Sequence, residues 1–347
     1  MSSSNTFKKP TLVILAAGRA RRYGGCKPLA PIGINGEAII DLLASDALSA
    51  GFEKIVVVVG TSTGPAIRYH IQQCWPKSVD VHFALQQNPR GTVDAVLAAS
   101  EYLGDAPFGV CNADDLYGKS PMAQLAQHLS QPYSASGPKS GSGPESGSGP
   151  EPVDKVKTNA LVGFLLRNAV LGDAPLTRAI CKTNEEGYLI EIQERRNVRS
   201  LGDGSFFADD GNEPGVLDGD NYVSVNLWGF LPSMLDEFRI AMEREEYMDG
   251  TGGSASSGDP ETPEVLLPDI VSEHLELWKT KQNGLLTQLG STNTSLNAGP
   301  CGFILLPTSG RCLGVTHAND LLAVQGEIAH VVGAGVRPAT LWGDYGL

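Results

Sequence analysis

The chain has 347 residues, of which 41% are hydrophobic, and its formal net charge is −13. This length suits roughly two average domains, or one α/β domain with insertions. The acidic balance opposes general affinity for nucleic acid, because phosphate backbones need a basic surface. The apolar runs are far shorter than the roughly 20 residues of a bilayer span, so we expect no membrane segment.

The N-terminus and the cysteines predict a cytoplasmic protein. Residues 1–10 form a polar tail, and the apolar run at residues 12–17 is too short for the core of a signal peptide. The six cysteines are scattered without a C-x-x-C spacing, which favours reduced thiols over disulfides or a zinc site.

Short apolar runs alternate with helical patterns in the first half of the chain. The runs that predict strands are residues 12–17, 55–59, 81–85 and 108–112. The patterns that predict helices are residues 38–50, 65–75, 92–103 and 122–129. This alternation favours a mostly parallel sheet with helices on both faces. In the first of these helices the apolar spacing predicts one buried face.

The middle of the chain is rich in Ser, Gly and Pro. Such a composition buries too little apolar surface to order itself, so we interpret residues 131–157 as a flexible insertion. Further strands are predicted at residues 160–166, 188–193 and 222–230. Further helices are predicted at residues 232–246, 263–279 and 319–334.

A loop rich in small and basic residues follows the first predicted strand. It reads Leu-Ala-Ala-Gly-Arg-Ala-Arg-Arg-Tyr-Gly-Gly-Cys-Lys-Pro-Leu from Leu15 to Leu29. Small residues let backbone N–H groups approach phosphate oxygens, and cations such as Arg22 and Lys27 neutralise the charge of a departing pyrophosphate. The spacing fits neither a dinucleotide fingerprint nor a P-loop. Ordinary loop glycines with solvated cations remain an alternative.

Two later segments lie where parallel strands end. Gln86 and Gly91 stand between a predicted strand and a helix, where an amide and a glycine backbone suit recognition of a nucleobase, although Pro and Gly are also usual turn residues. Asp114 and Asp115 end the next strand. Paired carboxylates there suit Mg²⁺, or one of them caps the following helix.

Together the three segments resemble the NTP-transferase superfamily of sugar-phosphate nucleotidyltransferases. The sequence is most similar to bacterial-type NDP-sugar pyrophosphorylases that begin L-A-A-G-x-G-x-R-Y-G-G-x-K. The resemblance implies an α/β fold with a Rossmann-like, mostly parallel sheet flanked by helices and a smaller sugar-binding lobe. It further implies that an NTP and a sugar 1-phosphate, or a related phosphorylated small molecule, react with Mg²⁺ to give an NDP-sugar and pyrophosphate.

The resemblance also assigns roles to individual residues. Arg22 and Lys27 would be catalytic, and Asp114 with Asp115 would bind the metal. The nucleotide would be bound by Ala16, Ala17, Gly18, Ala20, Gln86, Gly91 and Thr92. The sugar phosphate would be bound by Glu194, Arg195 and Asn226.

The implied domain division has a tail at residues 1–10 and one nucleotidyltransferase domain at residues 11–347. Within it, residues 11–130 are the nucleotide-binding half, and residues 158–347 are the substrate-binding half with the C-terminal helices. The insertion at residues 131–157 separates the two halves.

The sequence departs from the family pattern in places. Ala20 and Ala179 stand where glycine is usual, and residues 312–316 offer no acid where a second metal-binding aspartate is expected. A nucleotide-sugar-dependent glycosyltransferase and a catalytically silent nucleotide-binding regulator are the alternatives. The sugar, the base and the oligomeric state stay open.

Overall fold

The computed structural model describes residues 9–18, 25–131, 158–170, 175–251, 264–289, 302–315 and 320–343. Side chains of residues 245–251, 278 and 280–289 are outside this description. Within the described part, no helix combines the length and apolar character that crossing a membrane requires.

The first half alternates strands and helices, as predicted from its sequence. The strands are β1 (Thr11–Ala16), β2 (Lys54–Gly60), β3 (Asp80–Gln86), β4 (Phe108–Asn112) and the short β5 (Asp115–Leu116). The helices are α1 (Ile39–Ala50), α2 (Gly64–Cys74), α3 (Thr92–Ala98) and α4 (Lys119–Leu129). Strands β1, β2 and β4 read as continuous apolar runs because helices cover both faces of a parallel sheet, whereas β3 is an edge strand that stays partly exposed.

The second half is richer in strands than the sequence predicts. Its strands are β6 (Asn159–Leu165), β7 (Leu176–Thr183), β8 (Leu189–Ser200), β9 (Ser205–Ala208), β10 (Val216–Asp218), β11 (Tyr222–Phe230), β12 (Phe303–Thr308) and β13 (Leu313–Gly314). Its helices are α5 (Met234–Thr251), α6 (Leu267–Leu289) and α7 (Asp320–Gly333). Strands β7, β9, β10, β12 and β13 had no clear periodic signal, and β12 contains Pro307, which suits only an edge strand.

Both halves share one mixed sheet of 11 strands in the order β10-β9-β8-β7-β11-β4-β1-β2-β3, with β6 pairing to β11 and β12. Strands β4, β1, β2 and β3 are mutually parallel, so their carboxyl ends meet at one edge. Strand β11 joins the halves antiparallel. Its early residues Val223 and Ser224 pair with β7, and its last residues pair with β4.

Helix α1 is more deeply buried than the predicted single face, because every residue from Ile39 to Leu48 is buried. The C-terminal segment packs on it: Arg337 donates to Asp46 at 2.9 Å and to the Leu42 carbonyl at 3.1 Å. The indole of Trp342 lies 5.3 Å from that of Trp75. The end of the chain therefore encloses the helix that follows the small-residue loop.

Candidate functional site

A small cavity of about 130 Å³ opens at the carboxyl edge of β1 and β4. Its lining consists of Leu15, Ala16, Gly18, Lys27, Pro28, Ala113 and Asp114. A Cβ added at Gly18 would meet nothing within 4 Å, so the backbone there is open to a ligand. Ala20 and Arg22 lie outside the described residues, and their predicted roles stay predictions.

Backbone contacts position Lys27 at this cavity. Residues Lys27–Leu29 form one 3₁₀ turn in which Ala30 N–H donates to the Lys27 carbonyl at 2.9 Å. Pro28 is buried, and Ile39 N–H binds the Ala30 carbonyl at 3.0 Å, which ties the turn to α1. The ammonium of Lys27 then lies 3.3 Å from Oδ2 of Asp114, and the two side chains are 17% and 36% exposed.

The two adjacent acids occupy different environments. Asp114 contacts Lys27 and lines the cavity, whereas Asp115 accepts a hydrogen bond at 3.0 Å from the Asn112 side chain. Burial first, and the charge of Asp114 second, raise the pKa of Asp115, while Arg178 opposes this rise. A Cβ on Gly314 would come within 2.4 Å of Oδ1 of Asp115. A larger residue at position 314, where β13 pairs with β5, would therefore displace the Asp115 carboxylate.

The carboxylates meet the requirements of a Mg²⁺ site that substrate phosphates complete. Such sites use one or two protein carboxylates, with phosphate oxygens and water as the other ligands. Among the described residues, no group of three or more His, Cys, Asp or Glu side chains stands ready to hold a metal by itself. Of the two acids, only Asp114 is among the residues that line the cavity, so it is the one that could hold such a metal there.

Asn226 lies at an irregularity beside this edge. It has a left-handed backbone (φ 61°) inside β11, where the pairing register shifts between Ser224 and Trp228. The hydroxyl of the buried Tyr117 donates to the Val225 carbonyl at 3.0 Å and accepts from Asn112 N–H at 3.1 Å. This hydroxyl joins the bulge to the turn that carries the acids.

Gln86, Gly91 and Thr92 were predicted to bind the nucleotide. Their contacts join strand β3 to helix α3 and helix α3 to helix α6. The Gln86 amide nitrogen donates to the Gly91 carbonyl at 3.1 Å and to Asp94 at 2.7 Å. Gly91 has φ 96°, and a Cβ there would lie 2.3 Å from the Val265 carbonyl. Gly91 is the N-cap residue of α3, and the Thr92 hydroxyl accepts a hydrogen bond from Leu267 N–H at 2.8 Å.

Glu194 and Arg195, which the sequence predicts to bind the sugar phosphate, differ from Lys27 in their contacts. Arg195 is 1% exposed and binds Asp210 through Nε at 2.8 Å and through a second nitrogen at 3.1 Å. It also donates to the carbonyls of Asn212 and Pro214, so its own chain uses four of its five N–H groups. Glu194 is exposed and accepts from Arg196 at 2.9 Å.

Sequence reasoning missed two residues that support the site. Tyr117 joins the acid turn to β11, and Gly314 makes room for Asp115. The Asp-Asp-Leu-Tyr spacing holds a signal for Tyr117, since a buried tyrosine needs a hydrogen-bond partner. Gly314 carried no local signal, because its constraint comes from a residue about two hundred positions away in the chain.

Comparison with known proteins decides the family. Residues 12–183 match the model of the MobA-like NTP transferase domain. The chain belongs to the NTP-transferase superfamily. The match includes the small-residue loop, the Gln86 segment and both acids, so the three segments that carried the resemblance lie inside this superfamily domain.

Two curated relatives extend the comparison. A UTP--glucose-1-phosphate uridylyltransferase of Streptococcus pneumoniae serotype 4 is 32% identical over 133 residues, covering 32% of this chain and 44% of the relative. UTP--glucose-1-phosphate uridylyltransferase 2 of Streptococcus pyogenes serotype M1 is 31% identical over 126 residues, covering 30% and 42%. The chain thus spans less than half the length of these curated relatives.

Solved structures support the same fold over a longer span. A putative glucose-1-phosphate thymidylyltransferase from Bacillus anthracis aligns with TM-score 0.52 and 12% identity over 92% of this chain and 94% of that one. A UDP-glucose pyrophosphorylase complexed with UDP-glucose aligns with TM-score 0.53 and 12% identity over 93% and 99%. The predicted Rossmann-like α/β fold of the superfamily is confirmed.

Proposed function

We propose that this chain is a sugar-1-phosphate nucleotidyltransferase, which joins an NTP to a sugar 1-phosphate and releases pyrophosphate. The observation that carries the proposal is the open pair of Lys27 and Asp114, 3.3 Å apart at a cavity beside a small-residue loop. A phosphate-binding cation and a metal-binding acid at one edge of a parallel sheet suit nucleotidyl transfer.

In the proposed reaction a phosphate oxygen of the acceptor attacks the α-phosphorus of the NTP in line. The new bond joins this oxygen to the α-phosphorus, and the bond from the α-phosphorus to the bridging oxygen breaks, so pyrophosphate leaves with the electron pair. Lys27 is proposed to stabilise the leaving group through its charge, with Arg22 assisting it. Little proton transfer by the protein is needed, so positioning and charge supply most of the acceleration.

Mg²⁺, when bound, would neutralise the triphosphate and polarise its oxygens. Asp114 is proposed as the ligand, and Asp115, which is turned toward Asn112 and Gly314, as the acid that supports the turn. In the structure the ammonium of Lys27 contacts the Asp114 carboxylate. An arriving triphosphate gives Lys27 a new partner and releases the Asp114 carboxylate for the metal.

On the acceptor side we propose Asn226 and Glu194 as contacts for the sugar phosphate. Asn226 lies in the bulge that Tyr117 joins to the acid turn, and this position supports the proposed contact. Arg195 was assigned the same role from the sequence, but its hydrogen bonds to its own chain favour a bracing role for the loop at residues 209–215. For the base, the backbone of residues 16–18 and the Gln86 to Thr92 segment stay the proposed contacts.

The proposed domain division keeps residues 11–130 as the nucleotide-binding half and residues 158–347 as the substrate-binding half, joined through β11. The cytoplasm is the proposed location, because the five described cysteines are free thiols. UTP and glucose 1-phosphate are the first substrates to test, since the curated relatives bear those names.

The experiment is a screen of four NTPs against a panel of sugar 1-phosphates with Mg²⁺, read by pyrophosphate release. The proposal expects one pair to give turnover that depends on both substrates and on Mg²⁺. A glycosyltransferase would instead release a nucleoside diphosphate from an NDP-sugar. Binding of nucleotide without any pyrophosphate would contradict the proposal and favour a regulatory protein.

A further inference from the structure

Helix α1 and the C-terminal end of α2 are joined by a buried carboxylate. Asp41 accepts hydrogen bonds from Ala38 N–H at 2.9 Å and from the Trp75 indole at 2.7 Å. Both of its oxygens lie 2.9 Å from Nε2 of His70. With its side chain 5% exposed and three donors around it, Asp41 holds the His70 ring in one orientation.

The other nitrogen of that ring faces a thiol. Nδ1 of His70 lies 3.7 Å from Sγ of Cys74, four residues further along α2. Side chains four residues apart on a helix share a face, so the contact follows from the helical spacing. Cys74, His70 and Asp41 thus form a nucleophile, a base and an orienting acid in one line.

The charge of Asp41 acts on both groups of this line, because it stabilises a protonated His70 and opposes ionisation of Cys74. The hydrogen bond to Asp41 raises the pKa of His70, which means that Asp41 stabilises the imidazolium that forms when Nδ1 takes a proton. Partial burial and the charge of Asp41 raise the pKa of the Cys74 thiol, so this thiol carries its proton and depends on a base for reactivity. A base at hydrogen-bond distance supplies that need.

We propose that Cys74 is a nucleophilic modification site that exchanges with small disulfides, with His70 as its general base and Asp41 holding that base in place. The Cys74 sulfur attacks one sulfur of the disulfide R–S–S–R while its proton passes to Nδ1 of His70. The S–S bond breaks, Cys74–S–S–R forms, and the leaving thiolate takes the proton as R–SH. Cys74 is oxidised, and the departing half of the disulfide is reduced.

Accessibility singles out Cys74 among the described cysteines. Cys111, Cys181 and Cys312 are buried, and burial raises the pKa of each, as expected of inert structural thiols. Cys26 is half-buried, whereas Cys74 is exposed. Helix α2 runs from Gly64 to Cys74, and none of Asp41, His70 and Cys74 lines the cavity of Lys27 and Asp114.

The test measures the rate at which the folded chain takes up the aromatic disulfide 5,5′-dithiobis(2-nitrobenzoate), with the modified cysteine identified by peptide mass. His70→Gln keeps an N–H that can bind Asp41 but removes the base. We expect it to slow modification of Cys74 roughly 100-fold, the lower end of what a positioned general base contributes. Asp41→Asn should slow it less, because the ring loses orientation but stays present.

The matched control is Cys74→Ser/Tyr69→Cys, which moves the thiol to a position of the same helix that is 67% exposed and that does not face His70. Cys74 in the parent should react well ahead of this control. Equal rates for the two thiols, or a His70→Gln variant that reacts as fast as the parent, would overturn the proposal. Neither readout uses turnover, so the outcome is independent of the proposed transferase activity.

Discussion

Two ion pairs of this chain each join a basic residue to an aspartate, but they differ in exposure and in their number of contacts. Lys27 and Asp114 make one contact at 3.3 Å, stay 17% and 36% exposed, and line a cavity. Arg195 and Asp210 make two contacts, at 2.8 and 3.1 Å, and are 1% and 4% exposed. Among the described residues Lys27 contacts a single acid beside a cavity, whereas Arg195 uses four of its five N–H groups on its own chain. We therefore expect Lys27 to be the more available of the two cations.

The buried pair of Arg195 and Asp210 also fixes a loop in the second half of the chain. Hydrogen bonds from Arg195 hold the pKa of Asp210 well below its usual range. Asp210 also accepts from the N–H groups of Arg196 and Asn212 at 2.9 and 3.0 Å. This carboxylate and Arg195 therefore organise the loop between β9 and β10. The predictions below break each pair in turn.

The largest expected effect comes from the acid of the open pair. Asp114→Asn keeps the size of the side chain but removes the charge that would bind the metal, so Mg²⁺-dependent turnover should be lost. The thermal midpoint should stay close to that of the parent, because the side chain is partly exposed. A Mg²⁺ titration of pyrophosphate release measures this, and an unchanged Mg²⁺ response would refute the metal assignment.

Breaking the closed pair should act on stability instead. Arg195→Ala leaves Asp210 buried without its cation, which typically costs about 3–5 kcal/mol in the free energy of unfolding. Urea denaturation measures this loss. The double variant Arg195→Met/Asp210→Leu should recover much of it, because no charge is left unpaired. A stable Arg195→Ala with a raised KM for the sugar phosphate would restore the role predicted from the sequence.

The cation of the open pair should act on rate and leave stability intact. Lys27→Ala removes charge that opposes the leaving pyrophosphate, and loss of one such contact costs roughly 10²–10³ in rate. Lys77→Ala is the control, because Lys77 is an exposed lysine that binds only the Gln72 carbonyl in the described structure. Near-normal pyrophosphate release by Lys27→Ala would remove this lysine from the mechanism.

A smaller effect is expected beside the open pair. Asp115→Asn preserves the shape against Gly314 and removes a charge that burial already disfavours. Residues that support a metal ligand typically contribute about 10–100-fold, so turnover should fall by that amount. The same Mg²⁺ titration measures it. A defect larger than that of Asp114→Asn would move the metal ligand to Asp115.

The smallest effect should come from a region that belongs to neither pair. Deletion of residues 134–149, the Ser-, Gly- and Pro-rich stretch, should change stability and turnover little, because loop-closure entropy varies slowly with length. This stretch lies outside the described residues. Thermal melting and pyrophosphate release of the shortened chain check it, and loss of folded protein would assign the stretch a structural role.

Local sequence pattern predicted the main strands of the first half, but it missed several strands of the second half. Strands β1, β2 and β4 were predicted because a strand buried on both faces is a continuous apolar run. Strands β7, β9 and β10 mix polar and apolar residues, since their antiparallel pairing leaves part of each strand exposed. The predicted strand at residues 188–193 is the first part of β8, which continues through its charged residues to Ser200.

The sequence by itself determined the alternating α/β half, the loop from Leu15 to Leu29 and the two acids at the end of β4, because each depends on residues close together in the chain. Only the tertiary structure decided which charges remain available. Lys27 meets Asp114 across 87 positions, and Arg195 meets an aspartate in a Gly- and Asp-rich loop that no periodicity links to it. Whether an N–H donor is already hydrogen-bonded depends on all the groups around it in space. Those groups come from strands and loops that are distant in the chain and that only the complete sheet brings together.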